Sequence, residues 1–90
     1  MSMKMVIVAC NEAIDDDVMD ALSADGMVTY TKFVQAYGKG KTSGIHQGDD
    51  TWPGLNNVLL AVVAEDVAIR MLETVRGLRK TLGREGVKAF

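Results

Sequence analysis

Ninety residues, 48% hydrophobic and 24% charged, describe one small domain, exclude a multidomain enzyme and bury only about 60–65% of the unfolded surface, so self-association is expected to supplement the core. A formal charge of −2 with a pI near 5.2 argues against a nucleic-acid footprint, whose usual sign is a domain pI above about 9. The single cysteine, Cys10, excludes an intrachain disulfide and fits a reducing cytoplasm, and the longest uncharged apolar run, Val58 to Ala64, is far short of the roughly 20 residues that span a bilayer.

Met5-Val6-Ile7-Val8-Ala9 is a continuous apolar run rich in β-branched residues and predicts a strand buried on both faces. Ile14, Val18 and Leu22, spaced four apart, predict an amphipathic helix ending near Gly26. Asp15, Asp16 and Asp17 crowd its first turn, where the helix dipole favours negative charge, and are assigned no chemistry. Val28 to Tyr37 is β-branched and aromatic without proline or glycine, which predicts a strand with one partly wetted face. From Gly38 to Gly54 glycine, serine, threonine and aspartate replace any periodicity, so a long loop is expected, and loops of that length are usually functional or disordered.

Asn57 to Ala64 predicts a second fully apolar strand. Val67, Met71, Val75, Leu78 and Leu82 form an apolar stripe at helical spacing, closed by Gly83. Gly86 to Phe90 begins a last strand shorter than the usual five to six residues, so a continuation past Phe90 is expected. The order strand-helix-strand, strand-helix-strand predicts an α+β, ferredoxin-like βαββαβ sandwich over a single domain 1–90, an antiparallel sheet with two helices on one face. Met19, Met27 and Met71 are read as core filling. Charge is uneven: residues 1–69 carry four lysines against ten acids, and residues 70–90 carry four arginines and two lysines against two glutamates. The basic end is read either as a solvated helix face or as an anion-facing surface.

Two clusters draw attention. Gly38-Lys39-Gly40-Lys41 offers backbone amides free of Cβ hindrance and two point charges, suited to a phosphate or another anion, or else is a flexible strand exit with solvated lysines. His46, Asp49 and Asp50, with Cys10 as a distant candidate, combine donors that suit a divalent metal, or are solvated loop residues and a buried thiol. Trp52 is either an aromatic anchor for a partner or packing for the loop.

Three local matches make the chain resemble the PII-like signal-transduction proteins over nearly its whole length. Val34-Gln35-Ala36-Tyr37-Gly38-Lys39-Gly40-Lys41 is similar to the family's entry into its T-loop. Ala61-Val62-Val63-Ala64-Glu65-Asp66-Val67 is similar to its passage from strand three into helix two. Gly83-Arg84-Glu85-Gly86-Val87-Lys88-Ala89-Phe90 resembles its B-loop. The resemblance implies a homotrimer whose intersubunit clefts hold a small ligand, usually an adenine nucleotide such as ADP or ATP, and whose T-loop, here 38–54, docks on a membrane transporter, enzyme or regulator. It implies that Gly38, Lys39, Lys41 and Lys88 stand at ligand positions, with Gly86 beside Lys88 in the B-loop. Gly40 stands where the family has a glutamine that contacts ligand and metal. The alternative is a trimeric metal-binding protein, a sensor or efflux accessory, using His46, Asp49 and Cys10. An enzyme is not expected, because Cys10-Asn11-Glu12 stands where an acylphosphatase would need a phosphate cradle and His46 lacks an evident carboxylate partner. Neither membrane insertion nor nucleic acid is expected.

Overall fold

A computed structural model of the protein describes residues 2–37, 55–82 and 86–90. The elements run β1 (Met3–Asn11), α1 (Asp15–Ala24), β2 (Thr31–Ala36), β3 (Asn56–Ala64), α2 (Glu65–Leu82) and β4 (Val87–Ala89), with one 3-10 turn, Glu12–Ile14, between β1 and α1. The sheet order is β2-β3-β1-β4 and every neighbouring pair is antiparallel, which is the ferredoxin-like arrangement.

β1 and β3 form the sheet's centre, paired over nine positions from Met3 opposite Ala64 to Asn11 opposite Asn56. Strand alternation sends Val6, Val8 and Cys10, with Leu59, Ala61 and Val63 from β3, to the helix side, where they are buried with Val18 and Leu22 of α1 and Met71 and Val75 of α2. Leu22 and Met71 are fully sequestered at 0% exposure, each contributing about 1.5–3 kcal/mol of hydrophobic stabilisation. Met27 joins this core and Met19 packs against it, as core-filling methionines do.

Helix ends follow from local chemistry. The Asn11 side chain accepts from the Ala13 amide at 2.8 Å and so starts the 3-10 turn, after which Asp15, Asp16 and Asp17 occupy the first turn of α1. At the other end Gly26, at φ +109°, donates to the Ser23 carbonyl, and the Met27 amide reaches the Leu22 carbonyl. This is a Schellman closure, with Met27 and Leu22 supplying its apolar contact, and the left-handed glycine is what permits it.

Two expectations change. Burial of the central strands is one-sided in the single chain: Met5 and Val62, opposite each other, are 58% and 51% exposed, and Ile7 and Leu60 are half-buried. The second strand begins at Thr31, because Met27 turns into the core and Val28, Thr29 and Tyr30 climb, exposed, from the helix layer to the sheet edge. α2 begins at Glu65, so Glu65 and Asp66 are first-turn acids that suit the helix dipole. No helix among the described residues is long and apolar enough to cross a membrane.

Candidate functional site

One end of the sheet gathers the roots of both segments that the sequence singled out. The Asn11 amide at the end of β1 donates to the Gly86 carbonyl at 2.8 Å, and the next amide, Glu12, donates to the Leu55 carbonyl at 3.0 Å. The start of β4 and the return of the chain into β3 are thus fastened to consecutive residues of β1.

β2 reaches the same end through a bulge. Phe33 pairs with Val58, the next pair is Ala36 with Asn56, and Gln35 between them lies at φ 58°. A non-glycine residue in the left-handed region needs a compensating bond. Asn57 supplies it, accepting the Gln35 amide on Oδ1 at 3.2 Å. Asn57 is only 8% exposed, so its amide belongs to the fabric of the site.

Beneath the bulge lies an ion pair. Lys32 Nζ meets Asp15 Oδ2 at 2.8 Å, with side chains 21% and 16% exposed, and the Cys10 thiol donates to Asp15 Oδ1 at 3.7 Å. Burial alone would raise the Asp15 pKa. Hydrogen bonds from Lys32 and Asn57, the Lys32 charge and the Cys10 thiol more than offset this and hold the carboxyl below its ordinary value. Lys32 is raised in turn, chiefly by its bond to Asp15. An open cavity of about 490 Å³ lies above this network, lined among others by Asn11, Glu12, Asp15, Val34, Gln35 and Asn57.

Cys10 faces the core. Burial first, then the Asp15 charge and hydrogen bond, push its thiol up from 9.0 to about 12, which leaves it protonated and a poor nucleophile at neutral pH. A raised pKa stabilises the fold fully below the unfolded value of 9.0 and ceases to do so as pH rises through about 12. Wild-type protein is therefore expected to lose about 1 kcal/mol more than Cys10→Ala between pH 8 and pH 10 in urea melts. Parallel alkaline losses in the two proteins would contradict the buried thiol.

The other candidates are placed as follows. Gly86 sits in the turn before β4 and is tied to Asn11, whereas Lys88 is exposed on β4 opposite Ala9. Lys88 therefore stands on the sheet face away from the helices. Gly38, Lys39, Gly40, Lys41, His46, Asp49 and Trp52 lie outside the described residues. Among the described residues no group of three or more histidine, cysteine, aspartate or glutamate side chains is assembled to hold a metal. Sequence reasoning missed the Asp15–Lys32 pair and the Asn57–Gln35 clamp. The available signals were a lysine within a β-branched strand and an asparagine heading an apolar one.

No protein-family model matches the chain. In sequence it is 30% identical over 64 residues, 71% of its length, to a GlnB-like protein of the nitrogen-fixation nifHD1 region of Methanosarcina barkeri, and the match spans 60% of that relative. Its structure superposes on a PII-like signalling protein of Thermus thermophilus with a TM-score of 0.67 at 22% identity, covering 100% of this chain and 86% of that one. It superposes on CPII, a nitrogen regulatory PII-like protein of Thiomonas intermedia bound to ADP, AMP and bicarbonate, with a TM-score of 0.70 at 16% identity, covering 99% and 89%. The sheet order, the two helices on one face and these superpositions agree: the chain has the fold of the PII-like proteins, and part of its sequence is similar to a GlnB-like relative.

Proposed function

We propose that the protein is a regulatory binding module, not a catalyst: a homotrimer that takes an adenine nucleotide or a related anion in the clefts between its subunits and signals through residues 38–54 to a transporter or enzyme. The observation that carries this reading is the superposition, over 99% of the chain, on a PII-like protein bound to ADP, AMP and bicarbonate. The site's geometry supports it. Gly86 and Leu55 hang from adjacent residues of β1, so a ligand that shifts the start of β4 acts on the same strand end that anchors the return of the 38–54 segment. Lys88 is exposed one residue into β4 and supplies a cation for phosphate oxygens, with Gly86 beside it. Gly38, Lys39, Gly40 and Lys41 bring backbone amides and two further charges from the other segment. Signalling then requires that the ligand bind one state of that segment more tightly than the other.

The test is thermal denaturation of the full-length protein with ADP, AMP, ATP and bicarbonate, singly and in pairs. A ligand at 100 times its dissociation constant adds about 2.7 kcal/mol to the native state, so a rise in Tm of several degrees is expected for at least one nucleotide. Lys88→Ala should weaken that ligand about tenfold to a hundredfold, the worth of one charge-assisted hydrogen bond. No stabilisation by any of these compounds would overturn the reading.

A further inference from the structure

We propose that the bulge at Gln35, held by Asn57, is a two-register hinge: β2 passes between the bulged pairing of the structure and a regular pairing one residue out of step. In the bulged pairing Phe33 stands opposite Val58 and Ala36 opposite Asn56, so Val34 and Gln35 together face Asn57. Regular pairing continues the ladder from Phe33 without the extra residue. It sets Val34 opposite Asn57, Gln35 opposite Asn56 and Ala36 past the end of β3. A slip of one residue turns every following side chain to the other face of the sheet, so the two registers lead the chain out of β2 with opposite facings.

The surroundings confine the change to this point. β3 is paired with β1 over its whole length, and the Glu12 amide holds the Leu55 carbonyl. On β2 itself Lys32 is fastened to Asp15 at 2.8 Å and Phe33 is paired with Val58, so the register before the bulge stays fixed. Past Phe33 the strand is freer: Val34 and Gln35 are exposed and line the open cavity of about 490 Å³.

Opposing terms of similar size make both registers accessible. Gln35 lies at φ 58°, which is costly for any residue with a Cβ. Against this stands one neutral bond, from the Gln35 amide to Asn57 Oδ1 at 3.2 Å, whose net worth is of the same order as the strain. Asn57 takes a core-facing place in the buried series Asn57, Leu59, Ala61 and Val63, where the burial of a polar side chain calls for a reason. Holding the bulge is that reason, and Asp15 orients the carboxamide by accepting from its other end. The use of the hinge in signalling rests on the regulatory reading above. An adenine nucleotide that binds one facing more tightly draws β2 to that register, and the register alters its affinity by the same factor.

The experiment is NMR on the full-length, isotope-labelled protein with substitutions at position 35, whose exposed side chain lies outside the core. Glycine adopts positive φ freely and valine resists it. Cross-strand NOEs at Asn56 read the register: they come from Ala36 in the bulged pairing and from residue 35 in the regular one. Wild type should show microsecond-to-millisecond exchange confined to the residues between Phe33 and Tyr37 and their partners on β3. Gln35→Gly should hold the bulge, and Gln35→Val should favour regular pairing at least about tenfold more than Gln35→Gly does. Asn57→Leu, which removes the acceptor, should act in the same direction as Gln35→Val. Both variants at position 35 lose the carboxamide, so a several-fold difference in ADP affinity between them reports the backbone alone. A wild type without exchange at these residues, or a bulge unchanged in Gln35→Val, overturns the hinge. A changed register with equal ADP affinity in the two variants overturns its part in signalling. A wild type that binds no nucleotide overturns the regulatory reading instead, and the NOEs still decide the hinge.

Discussion

Asp15→Asn should lower the stability of the protein by about 2–3 kcal/mol, a fall in Tm of about 10–20 °C for a domain of this size. The carboxylate accepts from Lys32 at 2.8 Å and from the Cys10 thiol, and an asparagine of the same shape leaves a half-buried cation without its counter-charge. Its pH dependence separates this effect from ordinary packing loss. Asp15 has a folded pKa below the ordinary value of 3.8, so its contribution is present above about pH 4 and is lost as pH falls through the folded value. Lys32 is raised above 10.5, so its share is present below that pH and is lost as pH rises through its folded pKa. The difference between wild type and Asp15→Asn should therefore be flat from about pH 5 to pH 9 and close at both ends. Adding Lys32→Met should recover part of the loss, because an apolar residue removes the stranded charge. A difference that does not change with pH in urea melts would mean that the pair contributes shape rather than charge.

How far the fold was legible follows from which forces decide it. The central strands and both helices could be read because their cause is local: β-branched runs in β1 and β3, and apolar residues spaced three and four apart in α1 and α2. The end of α1 was legible too, since Gly26 is the residue that a left-handed closure selects. The second strand was legible as an element but not in its limits, because these depend on where Met27 enters the core and where the bulge at Gln35 falls, and both are set by partners distant in sequence. The same reasoning explains the site. A glycine-lysine run announces itself, whereas Asp15 looks like one more acid in a helix's first turn until β2 brings Lys32, 17 positions away, to its carboxylate. Asn57 reads as the polar start of an apolar strand, and only the bulge opposite gives its carbonyl a backbone amide to accept. Apolar content likewise could not say which face of the sheet the helices leave uncovered.

That uncovered face carries the other large effect: Val62→Glu should convert the proposed trimer into a monomer. Val62 stands opposite Met5, and the same face exposes Met3 at 58%, Phe33 at 54% and Phe90 at 70%. These residues share the face because β1, β3 and β2 alternate in register and the two helices cover only the other side. An apolar surface spread over four strands is far more than scattered single residues, and it marks an association surface. In a threefold assembly a carboxylate at position 62 is buried in every subunit, and an unpaired buried charge costs several kcal/mol each time. Association should weaken by at least about a thousandfold. Sedimentation should then give a trimer for wild type and a monomer for Val62→Glu. The variant's Tm should also fall and lose its dependence on protein concentration, since an assembly stabilises its subunits by mass action. Glu73→Lys, on the exposed side of α2, makes a charge change twice as large away from the sheet and should leave the assembly intact. A wild-type protein that sediments as a monomer would remove the intersubunit cleft, and nucleotide binding would then have to be sought within one chain, at the cavity above Asp15.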